Sequence, residues 1–336
     1  MAGTLTSETD QGGFKARAGA LTLLYLASPM ERHVLLALLA EATTGVELID
    51  DFDLPDPDDP PSLDIIADPY LVEPADPDAD PDAPIDWDTS LRAAPAGKEL
   101  LFVGFILERW LSSCPEGSLK LGPEAGPPLS ALLSGWCSTV MHALAARPLT
   151  VAEATDAVGT LSYDLVEERI EEMEGAGQLE ALGEEDSDDE VRFAVTDWLR
   201  EGIAPLAAAA RMEHRFPPGD TAPVAALDVE ASFLLTLPLL ELPTELEGSC
   251  SLAVELDEGV SPNPAGVTAQ VEEGRAIVTE VALDEKADAW ANAPACDWLD
   301  TLIEPDVKLV RSGGERRLTR RLLYELHQTL FGVQVS

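Results

Sequence analysis

The sequence predicts an α+β protein made of three consecutive blocks. Apolar residues recur at helical spacing through most of the chain before residue 216, and they alternate as in β-strands near residues 250–280. The length of 336 residues suits two or three domains. The expected division is a flexible N-terminus at 1–15, followed by blocks at 16–114, 126–216 and 225–336.

The first block begins and ends as helix but carries an acidic insert. Residues 16–48 are predicted as two helices separated by the N-cap signal Ser28-Pro29, and 95–111 as a third helix. The insert, 49–91, contains no Lys or Arg and is dense in Asp and Pro. Because proline breaks helices and clustered aspartates repel one another, we expect an extended loop here.

The second block contains the clearest local signals. Thr150 is predicted as a helix N-cap, and Glu153 completes a capping box. The expected elements are helices at 129–148, 150–159 and 162–175, a β-hairpin at 177–196 and a closing helix at 197–216. This order is typical of a winged-helix domain. Residues 34–48 align with 140–154, so we expect the first block to be a degenerate copy of the same unit.

The third block mixes helices with strands. Helices are expected at 227–242, 287–304 and 313–331, and strands at 250–259 and 266–283 with a hairpin turn at Glu273-Gly274. Trp290 and Trp298 would then lie two turns apart on one helix. Because apolar cavities are the usual sites for small ligands, these two side chains are predicted to line a cavity for a small apolar ligand.

The second block resembles the HxlR-type, MarR-like winged-helix transcriptional regulators. The matching segments are "RPLTVAEATDAV", "LSYDLVEERIEEMEGAGQLEA" and "RFAVTDWLREGIAPLAAAAR". The third block is similar to sterol-carrier-protein-like domains through "GRAIVTEVALDEKADAWANAPACDWLDTLIE". The resemblance implies two winged-helix domains, the first degenerate, followed by a sterol-carrier-like domain. It also implies a homodimer that binds DNA under the control of a small ligand.

In this resemblance the helix at 162–175 is the recognition helix. Its DNA-facing residues would be Ser162, Tyr163, Asp164, Glu167, Glu168 and Glu171. On a helical wheel, carboxylates fill the face opposite Val166, Ile170 and Met173, and the single base, Arg169, lies beside that apolar stripe. A recognition helix needs donors for base edges and positive charge near phosphates. The wing tip, "GEEDSDDE", is equally acidic.

The overall charge of the chain also disfavours DNA binding. The chain has 63 acidic and 21 basic residues and a formal net charge of -42. DNA is therefore a partner by resemblance and disfavoured by charge, because nucleic-acid binding depends on neutralising phosphates with Lys and Arg. A salt-adapted host would also produce an acidic surface. The alternatives for the acidic helix face are a solvated surface and a site for a basic protein partner, including mimicry of DNA.

One basic cluster interrupts the acidic sequence. It comprises Arg316, Arg317, Arg320 and Arg321, together with Lys308 and Arg311. The i,i+4 spacing of Arg316 with Arg320 and of Arg317 with Arg321 places neighbouring guanidinium groups on one helix face. We expect pairing with the surplus carboxylates of this chain or a second subunit. The alternative is contact with an anionic ligand or a phosphate.

No catalytic, metal or cofactor site is predicted. His33, His142, His214 and His327 are isolated and show no zinc-ligand spacing. The segment "DPDADPD" fails as a calcium loop, because Pro81 and Trp87 occupy the places of its required Gly and Glu.

The cellular setting is predicted from the cysteines and the apolar runs. Cys114, Cys137, Cys250 and Cys296 are far apart in sequence, which suits reduced thiols in the cytoplasm. The apolar runs are too short to span a bilayer, so no membrane partner is expected.

Three functions follow from these observations. The first is a ligand-sensing winged-helix regulator, and the second is a non-DNA-binding module for ligands or protein partners. The third is a carrier of an apolar ligand in the C-terminal block. None of the three is an enzyme.

Overall fold

A computed structural model of the protein describes most of the chain and confirms a mixed α+β protein. The described residues are 17–27, 43–44, 71–76, 90–121, 123–183, 191–217, 222–255, 265–281, 283–284, 286–305 and 308–332. Several predictions lie wholly or mostly outside them: the flexible N-terminus, most of the helix after Ser28-Pro29, most of the acidic insert with its "DPDADPD" segment, and the wing tip. Where the second of these is described, at Thr43–Thr44, the helix prediction is wrong, because the two residues form a short strand. Within the described ranges, no helix is long and apolar enough to cross a membrane.

The first block combines helices with a small sheet. Its elements are α1 (Ala20–Ala27), β1 (Thr43–Thr44), β2 (Val72–Pro74), β3 (Ser90–Ala93) and α2 (Pro95–Ser112). Both β1 and β2 pair antiparallel with β3. The loop prediction is therefore wrong at β2, because Leu71 and Val72 supply apolar side chains that are buried in the core.

The second block has the predicted order of elements. They are α3 (Gly126–Cys137), α4 (Val140–Ala145), α5 (Val151–Val158), α6 (Tyr163–Gly175), β4 (Leu179–Leu182), β5 (Arg192–Val195), α7 (Asp197–Glu201) and α8 (Ile203–Arg215). The capping box of Thr150 and Glu153 is confirmed. The first predicted helix is split into α3 and α4, because Thr139 adopts a left-handed backbone with φ of 63°.

The third block is a five-stranded sheet with helices on one face. Its elements are α9 (Ala226–Thr236), β6 (Gly248–Glu255), β7 (Ala265–Glu272), β8 (Arg275–Glu280), β9 (Ala289–Pro294), α10 (Ala295–Ile303), β10 (Arg311–Gly314) and α11 (Arg316–Phe331). The strand order is β10-β9-β6-β7-β8, with only the β6–β9 pair parallel among the described strands. The turn at Glu273-Gly274 is confirmed, and both residues have positive φ, as a type I′ hairpin turn requires.

Two elements of the third block differ in kind from the prediction. Strand β10 was not expected, and its Gly313 and Gly314 lie where the helix 313–331 was predicted to begin. Residues 289–294 form strand β9 instead of the start of a helix. Ala289 and Ala291 are fully buried, while Trp290 between them is 44% exposed, which is the two-residue alternation of a strand. Alanine favours helix in isolation, but pairing with β6 and β10 on both sides outweighs this preference.

All three blocks contribute to one continuous hydrophobic core. Helix α8 lies at the centre and packs against α1, α2 and α10, which belong to the first and third blocks. This position explains its composition, since alanines such as Ala208 and Ala209 let neighbouring helices approach closely.

Candidate functional site

Helix α6 presents an acidic surface to solvent. Its apolar stripe of Val166, Ile170 and Met173 is buried as predicted. The carboxylate residues Asp164, Glu168, Glu171, Glu172 and Glu174 are exposed, and Glu167 is half-buried. Ser162 stands at the N-cap position, where its side chain makes no capping hydrogen bond.

The only base of this helix is neutralised within it. The Arg169 guanidinium lies 2.7 Å from a carboxylate oxygen of Glu172, which also accepts a hydrogen bond of 2.9 Å from the Ser134 hydroxyl. Helix α6 therefore carries a negative field without an unpaired base. A phosphate brought to this surface would meet like charges, an interaction of about 4 kcal/mol at 4 Å near a protein surface.

Apolar side chains lie beside these carboxylates. Tyr163 and Leu165, at the start of α6, are 46% and 42% exposed. Leu182 and Val191 are 42% and 45% exposed and flank the wing tip at the ends of the β-hairpin. Arg192, next to the wing, pairs with Glu153 of α5 at 3.3 Å, so this base is already occupied.

The predicted basic cluster lies on the exposed face of α11. A shallow, open depression of about 510 Å³ is lined by Arg316, Arg317, Arg320, Arg321 and Tyr324. Expected pairing is confirmed for Arg317, 3.4 Å from Glu245, and for Arg321, 2.5 Å from Glu325. Arg311 pairs with Glu255. Arg316 and Arg320 have no carboxylate partner among the described residues of this chain, and their pairing with a second subunit stays a prediction.

The two tryptophans expected to share a cavity lie in different surroundings. Trp298 is fully buried in α10, packs edge-on against Phe233 with ring centroids 4.8 Å apart, and donates to the Ala253 carbonyl at 2.7 Å. Trp290 is half exposed on β9, facing away from the buried alanines of that strand. The helical spacing that joined them was wrong, because Trp290 lies in a strand.

A buried charged cluster joins the three blocks and was not predicted. The Asp228 carboxylate of α9 accepts from Arg17 Nε at 2.7 Å and lies 3.4 Å from His142 Nε2 of α4. Arg17 also contacts His142 Nε2 at 3.0 Å and lies over the Trp136 ring. The sequence held no signal for this cluster, because its members are 86 to 211 residues apart.

The charge states in this cluster follow from burial and neighbours. Burial lowers the pKa of His142, and the Arg17 charge adds to this effect, although Asp228 opposes it. Burial acts to raise the pKa of Asp228, but hydrogen bonding to His142 and the charge of Arg17 outweigh it, so the pKa is lowered. The cluster is thus an Arg–Asp ion pair beside a neutral imidazole.

This arrangement predicts a dependence of stability on pH. An unfolded histidine titrates near pH 6.5. Below about pH 6.5 the unfolded chain takes up a proton that folded His142 does not, so the free energy of unfolding should fall by at most about 1.4 kcal/mol per pH unit. Loss of the Asp228 contribution follows at lower pH, as this carboxylate protonates in the folded state. Urea unfolding at pH 7.5, 6.5 and 5.5 measures the slope.

His142→Gln is the matched variant, since it removes the titrating group and keeps a polar side chain. Its unfolding free energy should fall less between pH 6.5 and 5.5 than that of the wild type. Equal slopes for the two proteins would contradict the prediction.

A cysteine–histidine contact was also missed by the sequence. Cys296 Sγ lies 3.4 Å from His214 Nδ1, across the contact between α8 and α10. Beside it, Glu213 accepts from the backbone N–H groups of Gly19 at 2.7 Å and Thr22 at 2.8 Å, so it caps the start of α1. Burial raises the pKa of Glu213. Glu213 and His214 line a second depression of about 310 Å³.

The described side chains provide no group of three or more His, Cys, Asp or Glu residues able to hold a metal ion. No family model and no curated protein matches the chain. The features that bear on function are therefore the surfaces of α6 and α11 and the order of the elements.

Proposed function

We propose that this chain is a regulatory protein on a winged-helix scaffold, and that α6 binds a basic protein partner instead of DNA. The observation that carries the proposal is the outward face of α6. Its carboxylates face solvent, and its one base, Arg169, is paired with Glu172. A recognition helix with this charge repels the phosphate backbone and attracts a cationic surface.

The order of elements in the second block supports the scaffold. Four helices, α3 to α6, precede the β4–β5 hairpin, with α3 and α4 together in the place of the first predicted helix, and a backbone bridge from Leu149 to Phe193 adds a third short segment to this sheet. The resemblance to HxlR-type regulators and to sterol-carrier-like domains belongs to the same proposal. The proposal also includes a homodimer, a small ligand sensed by the C-terminal block and a cytoplasmic location.

The apolar residues beside the acidic face favour a protein partner. Protein interfaces combine an apolar or aromatic centre with a charged rim. Tyr163 and Leu165 provide such a centre at the N-terminal end of α6. Residues Glu167, Glu168 and Glu171 provide the charged rim along the helix.

Charge reversal tests this proposal. Replacing Glu167, Glu168 and Glu171 together with Lys should abolish capture of basic proteins from a host extract, because the attractive field changes sign. The unfolding temperature should change little, since surface substitutions usually alter stability by less than about 0.5 kcal/mol each. Affinity capture with identification of the bound proteins gives the readout.

The matched control makes the same charge change elsewhere. Glu241, Glu247 and Glu272 are exposed in the third block, and their triple replacement with Lys should leave capture intact. The proposal is contradicted if the variant with reversed charge on α6 still captures basic proteins, or if both variants lose capture equally.

DNA binding through α6 is the second candidate function. The exposure of Ser162 and Tyr163 at the start of α6 favours it, because recognition helices contact base edges with their N-terminal residues. Fluorescence anisotropy with a labelled duplex from the protein's own promoter, measured across salt concentrations, separates the two candidates. We expect no saturable binding that depends on α6. Salt-sensitive binding that Ser162→Ala and Tyr163→Ala weaken would establish the second candidate.

A further inference from the structure

We propose that the basic face of α11, defined by Arg316, Arg317, Arg320, Arg321 and Tyr324, binds a small molecule carrying a phosphate or pyrophosphate group. The proposal is independent of the partner of α6. It rests on the unpaired guanidinium groups, their rigid support and the depression that they line.

Among the described arginines, few lack a carboxylate partner. Most described arginines have a carboxylate within 4 Å. Arg109 instead donates to the main-chain carbonyls of Leu330 and Gly332. Arg147 and Arg275 also have no carboxylate within 4 Å in the described part of the chain, but each stands alone in sequence. Among the arginines that the structure describes, only Arg316 and Arg320 are both without a described carboxylate partner and one helical turn apart, although carboxylates outnumber bases threefold in the sequence.

The helix fixes the positions from which these side chains leave its backbone. Leu318, Leu322 and Leu326 are fully buried on the opposite side of α11, so its backbone is anchored in the core. Residues at i,i+4 spacing have Cβ atoms about 6 Å apart, which brings the heads of Arg316 and Arg320 within reach of one phosphate. They also lie in the first turns of a 16-residue helix, whose positive end favours an anion.

Arg317 and Arg321, which have carboxylate partners, are oriented by contacts within the protein. Arg321 is held between Glu325 and the ring of Tyr324, with its guanidinium carbon 5.3 Å from the ring centroid. Arg317 is held by Glu245. Two guanidinium groups are thus oriented by protein contacts, and the other two keep their N–H donors available for a ligand. Planar guanidinium groups donate in pairs to phosphate oxygens, which makes arginine the preferred partner of this group.

The surroundings favour a compact anion over an extended polymer. Glu245, Glu315 and Glu325 stand at the edge of the basic face, and Glu315 is already engaged with the backbone N–H of Arg317. A nucleic-acid strand crossing the face would meet these carboxylates at the edges. A small phosphate ester would lie in the open depression of about 510 Å³ that the arginines line. Tyr324, 45% exposed, offers its ring to the organic part of such a ligand.

Calorimetric titration with sodium pyrophosphate at low salt tests the site on the full chain. The wild type should bind it saturably. Replacing Arg316 and Arg320 together with Ser should weaken binding at least about tenfold, because charge-assisted hydrogen bonds are lost. Replacing Arg147 and Arg275 with Ser removes the same charge at other exposed positions and should change affinity less than about twofold. Absence of binding by the wild type, or equal weakening in both variants, overturns the proposal.

A second titration distinguishes binding of a small ligand from binding of nucleic acid. A labelled DNA duplex of about 20 base pairs is titrated in the same buffer. If the duplex binds through Arg316 and Arg320 while pyrophosphate does not, the site takes nucleic acid and the small-ligand proposal fails. The charge reversal of Glu167, Glu168 and Glu171 should leave pyrophosphate affinity unchanged, so failure of this proposal and failure of the α6 proposal give different results. Unchanged far-ultraviolet circular dichroism and melting confirm that each variant is folded.

Discussion

Replacing Arg211 with alanine is expected to lower the free energy of unfolding by about 3–5 kcal/mol, as for other buried charges that lose their partner. Arg211 lies in the central helix α8, and only 4% of its side chain is exposed. Its guanidinium lies 3.3 Å from Glu99 of α2 and 3.1 Å from Asp300 of α10, and it also donates to Glu304. One cation thus joins helices from all three blocks.

The cost arises from the carboxylates that remain. Glu99 and Asp300 have only 18% and 26% of their side chains exposed, so water compensates poorly for a lost cation. Arg215 also bridges these two carboxylates, at 2.9 and 2.7 Å, and cannot neutralise both alone. Glu304 is 68% exposed and adds little, because water screens its charge.

Urea unfolding followed by tryptophan fluorescence measures the loss. Arg211→Lys keeps the charge but loses the planar donor geometry, so its stability should lie between wild type and Arg211→Ala. Arg215→Ala, at a side chain 35% exposed, should cost less than Arg211→Ala. A loss below about 1 kcal/mol for Arg211→Ala would show that this network contributes little.

The sequence predicted those features that depend on neighbours in the chain. The apolar stripe of α6, the capping box at Thr150 and the hairpin turn at Glu273-Gly274 each follow from a few adjacent residues, and each is present. Strand β9 was missed, since its alanines favour helix locally and become strand only through pairing with β6 and β10. Strand β2 was also missed, because aspartates and prolines surround the two apolar residues Leu71 and Val72 and predict a loop.

The candidate surfaces were predicted better than the buried clusters. An exposed helix face follows from periodicity, so the acidic face of α6 and the basic face of α11 were found in advance. The pairing of Arg317 with Glu245 and the cluster of Arg17, His142 and Asp228 join residues distant in sequence. Composition and spacing contain no information on such contacts, because they depend on how distant parts of the chain are brought together in the fold.

The packing of two tryptophans gives a second large predicted effect. Trp110 of α2 and Trp198 of α7 stack with ring centroids 4.8 Å apart and an interplanar angle of 11°. Each indole N–H donates to the backbone carbonyl of the other residue, at 2.8 and 3.0 Å. The rings are 2% and 3% exposed, so the pair closes the contact between the first and second blocks.

Trp198→Ala is therefore expected to lower the free energy of unfolding by about 3–5 kcal/mol, the usual cost of removing a buried tryptophan. Trp198→Phe keeps most of the ring but loses one N–H donor, and should cost about 1–3 kcal/mol. Combining it with Trp110→Phe in a double-mutant cycle isolates the coupling between the two residues, expected at about 0.5–1.5 kcal/mol beyond the singles. Additive losses in the cycle would contradict direct coupling.

The contact between Trp110 and Trp198 also affects the shape of the unfolding curve. The blocks share one core through α8, so Trp198→Ala should shift a single transition to lower urea, with circular dichroism and fluorescence coinciding. If the blocks instead folded as separate domains, loss of the tryptophan pair would uncouple them and produce two transitions. If Trp87, Trp110 and Trp136 are replaced with Phe in the Trp198→Ala protein, only Trp290 and Trp298 remain, and both lie in the third block. Their fluorescence then reports whether that block unfolds with the rest or alone.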